Sequence, residues 1–141
     1  MTDKRIEDLN IVSCTRLITP EEFKRALPVS ERAAASVISG RETVKNILER
    51  RDKRLFVVLG PCSIHDPVAA VDYGRRLQAL AQKVSETEYL VLRVYFENPP
   101  STVGWKGLIQ EAHMNGSLQR EDGVLFGRGR LLDLAERGLP L

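Results

Sequence analysis

Leu55-Phe56-Val57-Val58-Leu59-Gly60-Pro61-Cys62-Ser63-Ile64-His65-Asp66-Pro67 decides the fold, because a run of β-forming apolar residues stops abruptly and a thiol, an imidazole and a carboxylate follow at once. Leu55 to Leu59 is continuous and apolar, as expected of a strand covered on both faces. Gly60-Pro61 ends it. Asp66 stands where a helix N-cap belongs and Pro67 takes the first helical position. Val68, Val71, Leu77, Leu80, Ala81 and Val84 then recur at helical spacing. Cys62 and His65 therefore fall on a strand-to-helix loop, the kind that lines the catalytic face of barrels and doubly wound sheets.

Downstream, Tyr89 to Phe96 is a second apolar run of strand length with Arg93 inside it. The order β-α-β predicts parallel pairing through a right-handed crossover. A guanidinium buried in such a strand needs an anionic partner, either a substrate or a core carboxylate, to offset several kcal/mol of desolvation. A long loop, Glu97 to Glu121, carries the only tryptophan, Trp105; loops of that length in compact domains usually serve function. Asp122 is the expected cap of a last helix through Leu134 and Ala135, with Gly138 as its stop and Pro140 just beyond. Gly127 and Gly129 each weaken that helix by roughly 1 kcal/mol, which suggests a loosely held segment.

Upstream, Thr19-Pro20-Glu21-Glu22 has the form of a capping box, so a short helix ending near Pro28 is expected, with Phe23, Ala26 and Leu27 on its apolar side. Ser30 caps a second helix on which Ala34, Val37, Ile38, Val44, Ile47 and Leu48 share a stripe, weakened in the middle by Gly40. Residues 1–18 form an arm whose stretch Leu9 to Val12 is a candidate edge strand. The reading divides the chain into an N-terminal extension with helices, 1–54, and two strand–helix units, 55–141.

A length of 141 residues with 43% apolar side chains suits one globular domain. Net charge is only +2, and no Lys/Arg cluster is interleaved with aromatics, which argues against nucleic acid as a partner. Apolar runs are strand length and the first residues are polar, so neither a membrane partner nor an export signal is expected, and the location expected is cytoplasmic. Cys14 and Cys62 are then free thiols rather than a disulfide. Cys14 reads as a partly buried small hydrophobe. Cys62 and His65 have a Cys-x-x-His spacing that by itself marks a metal site only weakly.

Taken together with Arg93-Val94-Tyr95-Phe96-Glu97, Thr102-Val103-Gly104-Trp105-Lys106-Gly107-Leu108-Ile109, His113-Met114 and the closing Gly138-Leu139-Pro140-Leu141, the opening loop resembles that of a known family. The chain is similar to the type I, feedback-regulated 3-deoxy-D-arabino-heptulosonate 7-phosphate synthases, which open the shikimate pathway to the aromatic amino acids. The arm looks most like that of the tyrosine-sensitive branch. The resemblance implies an α/β fold, the N-terminal part of a (β/α)8 TIM barrel with about two βα units after a helical extension. It implies a metal-dependent, aldol-type transferase that condenses phosphoenolpyruvate with erythrose 4-phosphate and releases phosphate. By the same resemblance Cys62 is one ligand of a divalent metal (Mn, Fe or Zn), and Arg93 binds the carboxylate of phosphoenolpyruvate. Ser101 keeps a substrate-binding hydroxyl. His65 and Asp66 shape the loop and cap the next helix.

This sequence departs from the family in two respects. Where the family reads Lys-Pro-Arg-Thr-Thr after Tyr-Phe-Glu, this chain has Asn98, Pro99, Pro100, Ser101 and Thr102, so two substrate-binding cations are absent. A complete barrel also needs about 250 residues, and the family's other metal ligands lie beyond position 141. The expectation is a chain inactive alone, with an open sheet edge and an uncovered apolar face. The alternatives are a non-catalytic fragment that associates with full-length synthase subunits as a homo- or hetero-oligomer, or a degraded gene product.

Overall fold

The computed structural model describes residues 9–11, 13–98 and 104–141. Among them the chain forms α1 (Pro20–Ala26), α2 (Glu31–Leu48), β1 (Leu55–Leu59), α3 (Pro67–Lys83), β2 (Glu88–Leu92) and α4 (Arg120–Glu136). The strands β1 and β2 pair in parallel, Leu55 opposite Glu88 through Leu59 opposite Leu92, with α3 as the crossover that parallel pairing requires. The architecture is α/β, as expected.

The helix starts follow their local chemistry. Thr19 and Glu22 form the reciprocal box: the Glu22 amide donates to Thr19 Oγ1 at 3.3 Å and the Thr19 amide to Glu22 Oε2 at 3.0 Å. The hydroxyl of Thr19 also donates to Glu22, and this bond above all holds the glutamate below the usual carboxylate range. Ser30 accepts from the Ala33 amide, and Asp66 Oδ1 accepts from the amides of Val68 at 2.8 Å and Ala69 at 3.2 Å. Asp66→Ala is expected to cost about 1 kcal/mol in α3, while Asp66→Asn retains most of it; urea unfolding followed by circular dichroism separates the two.

One core holds the layers together. Leu90 and Leu92 of β2 meet Leu77 of α3, Leu134 of α4 and Leu139 of the tail, with Val57, Leu59, Ala81 and Val94 packed around them. The segment ahead of α2 is tied to α4: Arg128 Nε donates to Leu27 O at 2.8 Å and its guanidinium lies over the Phe23 ring, 5.3 Å from the centroid. Ser30 bonds Glu136. Just before β1, the Arg54 guanidinium holds Asp52 below the usual carboxylate range and stacks over Tyr89.

Several expectations are corrected. The second strand closes at Leu92 rather than Phe96. Its partner β1 ends at Leu59 before Gly60-Pro61, and once Arg93 N has donated to Leu59 O at 2.7 Å the ladder has no further strand to pair with. Arg93 is consequently exposed. The last helix starts at Arg120, flanked by Gln119 without a side-chain cap, and Asp122 lies in its first turn. Gly127 does not loosen α4: it is buried, and a Cβ there would stand 3.0 Å from Ile109 Cδ1. Among the glycines of α4 only Gly129 faces open space. Cys14 is exposed. Leu9 to Ile11 form no strand, and Val12 lies outside the described residues. Nor is β1 covered on both faces, since Leu55 and Val58 remain 64% and 50% exposed. No helix among the described residues is long and apolar enough to cross a membrane.

Candidate functional site at the carboxyl ends of the strands

Both strands point their carboxyl ends at the same loop cluster. Gly60 makes the crossing possible, because a Cβ there would overlap the carbonyl oxygen of Arg93 and lie 2.8 Å from its Cβ. With the backbones this close, Ile64 N donates to Tyr95 O at 2.8 Å and locks the loop after β1 onto the segment after β2.

Arg93 is the centre of the cluster. Its Nη1 donates to the carbonyl oxygens of Pro61 at 2.7 Å and Cys62 at 2.8 Å, and the guanidinium lies 4.8 Å over the ring of Tyr95. The anionic partner expected of a buried arginine is replaced by two backbone carbonyls on an exposed one. The arrangement brings Arg93 to the backbone of Cys62, whose thiol is exposed. Tyr95 was not singled out by the sequence, although its spacing of two from Arg93 puts both side chains on one side of an extended chain.

The long loop folds back on itself. Glu97 bridges Gly107 in antiparallel fashion, and Gly107 adopts φ +103°, where a Cβ would press on Phe96 O at 2.5 Å. Leu108 follows, 1% exposed. Asn98 donates from Nδ2 to Trp105 O at 3.1 Å, and Trp105 Nε1 donates to Glu111 O at 2.9 Å. His65 stands edge-on to the Trp105 ring at 6.3 Å. Further along, His113 Nε2 lies 2.8 Å from Asp122 Oδ2 and edge-on to Phe126, which accounts for Asp122 without a capping role. Pro100 and Ser101 lie outside the described residues.

Among the described residues no group of three or more His, Cys, Asp or Glu side chains could hold a metal ion. Cys62 offers one soft donor, and a metal centre needs several. The described residues therefore do not form a metal site by themselves.

A profile of the DAHP synthetase I family matches residues 26–140. The chain belongs to that family. Other members are close in sequence. The chain is 48% identical over its whole length to "Phospho-2-dehydro-3-deoxyheptonate aldolase, Tyr-sensitive" of Escherichia coli strain K12. It is 46% identical over 134 residues to the Phe-sensitive aldolase of the same strain. It spans 40% and 38% of those two proteins. The solved phospho-2-dehydro-3-deoxyheptonate aldolase of Francisella tularensis SCHU S4 superposes with a TM-score of 0.88 at 37% identity, over 93% of this chain and 38% of that one. The DAHP synthetase I family thus accounts for the backbone arrangement as well as the motifs.

Proposed function

We propose that this chain carries the N-terminal share of a 3-deoxy-7-phosphoheptulonate synthase site, with residues 1–54 as an extension and 55–141 as the first two units of a TIM barrel. The observation that carries the reading is the held guanidinium of Arg93. One nitrogen is engaged by Pro61 and Cys62 and the plane rests on Tyr95, so its other N–H groups are oriented for a carboxylate such as that of phosphoenolpyruvate. Preorganised, charge-assisted and bidentate bonding of this kind is what arginine supplies and lysine does not. In this reading Cys62 is one ligand of a divalent-metal site completed by residues beyond position 141, and Ser101 adds a hydroxyl toward substrate. The chain alone does not condense phosphoenolpyruvate with erythrose 4-phosphate.

The test is phosphate release from the two substrates with added Mn²⁺. No turnover above a Cys62→Ala control is expected from the 141-residue chain. A chimera that joins residues 1–141 to the remainder of the E. coli Tyr-sensitive relative is expected to turn over and to lose that activity with Cys62→Ala or Arg93→Ala. Restoring the family's cations through Asn98→Lys and Pro100→Arg is expected to raise its kcat/KM by roughly ten- to a hundredfold each, from about 1.5–3 kcal/mol per charge-assisted bond. An active chimera indifferent to Cys62→Ala and Arg93→Ala would sink the reading.

A further inference from the structure

An asparagine side chain is labile where the next backbone nitrogen can reach its amide carbon, and a following glycine, with no side chain to obstruct the approach, permits this most readily. Asn10 and Asn46 precede isoleucine, and Asn98 precedes a proline that has no N–H to give up. Asn115 precedes Gly116.

The turn that leads into α4 holds this pair ready for reaction. Ser117 N donates to Asn115 Oδ1 at 3.0 Å. This bond folds the side-chain amide back over the Asn115–Gly116 peptide, as an Asx turn does, and sets a donor on the oxygen where negative charge would develop. Gly116 N donates to Glu111 Oε1 at 2.7 Å, so the N–H of the attacking nitrogen already points at a carboxylate. Left-handed backbone at Met114 (φ +52°), Gly116 (φ +76°) and Leu118 (φ +49°) sets the shape of the turn. A Cβ on Gly116 would meet nothing within 4 Å, and both Asn115 and Gly116 are exposed to water.

We propose that Asn115-Gly116 is a self-catalysed deamidation site in which Glu111 acts as the base. Gly116 N attacks Asn115 Cγ while its proton passes to Glu111, and Ser117 N–H holds the tetrahedral oxyanion. The Cγ–Nδ2 bond then breaks, and ammonia leaves with the proton that Glu111 returns. The succinimide so formed adds one water and opens at either carbonyl, to aspartate or to isoaspartate. Asparagine and water thus give an acid and ammonia, with no change in oxidation state. Either product adds a negative charge to the turn. Isoaspartate also adds a methylene to the backbone between α4 and Glu111, whose carbonyl holds Trp105 Nε1. None of this chemistry depends on the synthase reading.

The 141-residue chain is incubated at neutral pH and body temperature, and its tryptic peptide ending at Arg120 is followed by mass spectrometry. A synthetic peptide of residues 108–120 is the unstructured reference. Asn115 is expected to deamidate about tenfold faster in the folded chain than in the peptide, less than the about 10²–10⁴ of an enclosed catalytic base because Glu111 is only half-buried. Isoaspartate is expected among the products. Glu111→Gln keeps an acceptor for Gly116 N but cannot take its proton, and it is expected to return the rate to that of the peptide. Circular dichroism checks its fold, and Glu111→Asp, which keeps the charge but withdraws it from Gly116 N, gives the same readout should Glu111→Gln disturb the chain. A folded chain no faster than the peptide, or a folded variant as fast as the parent or faster, would overturn the proposal and make the bond to Glu111 a guard on the nitrogen. Aspartate as the sole product would overturn it too, because direct hydrolysis by water would then bypass Gly116 N.

Discussion

Leu134→Ala is expected to lower the stability of the chain by about 2–5 kcal/mol, the range for large-to-small changes at fully buried leucines. Leu134 is 0% exposed and belongs to the core cluster that joins Leu77 on α3, Leu90 and Leu92 on β2 and Leu139 in the tail. Its Cδ2 lies only 2.5 Å from where a side chain on Gly74 would begin, so α3 and α4 already sit in close contact there. The cavity left by alanine has little room to collapse. For a small domain with a urea slope of about 1–3 kcal/mol/M, the unfolding midpoint falls by roughly 1 M or more. Since such domains hold only about 5–15 kcal/mol in total, one side chain then decides much of the margin. An unchanged midpoint would show that α4 contributes little to the core.

Gly123→Ala and Gly129→Ala are expected to move stability in opposite directions although both sit in α4. A Cβ on Gly123 would stand 2.5 Å from Leu108 O and nearer still to Ile109 O. Both obstacles are backbone atoms of the turn that carries buried Leu108, and neither can swing aside. The overpacking cost of about 1–3 kcal/mol exceeds the helix-propensity gain of about 1 kcal/mol. At Gly129 nothing lies within 4 Å, and the same substitution should stabilise by roughly 0.5–1 kcal/mol. Urea midpoints of the two variants decide it; two shifts of the same sign would mean that the contact between α4 and the Leu108 turn is not as tight as described.

Local chemistry was the most legible part of the sequence. The capping residues Thr19, Ser30 and Asp66 and the strand Leu55–Leu59 follow from rules that operate within one turn or one strand. What the sequence hid depended on partners distant along the chain. The early close of β2 is set by Gly60-Pro61 on the neighbouring strand, not by Val94 to Phe96, which remain apolar. Gly127 looks like a helix defect until Ile109 and Phe96 are placed against it. Arg93 reads in the sequence as a buried strand residue, but it lies exposed just past the end of β2, and its two carbonyl partners, Pro61 and Cys62, come from the loop after the other strand.

The burial of Leu139, only 2% exposed among Leu77, Leu90 and Leu92, makes folding wait for synthesis. Until residue 139 has left the ribosome, the paired strands lack part of the cover on their packed face. At roughly 5–20 residues per second the stretch from Leu92 onward takes several seconds to appear. Through that interval the nascent chain presents the leucines of β2 to whatever binds apolar segments at the tunnel exit, so its yield in a cell should depend on chaperone supply as well as on its final stability.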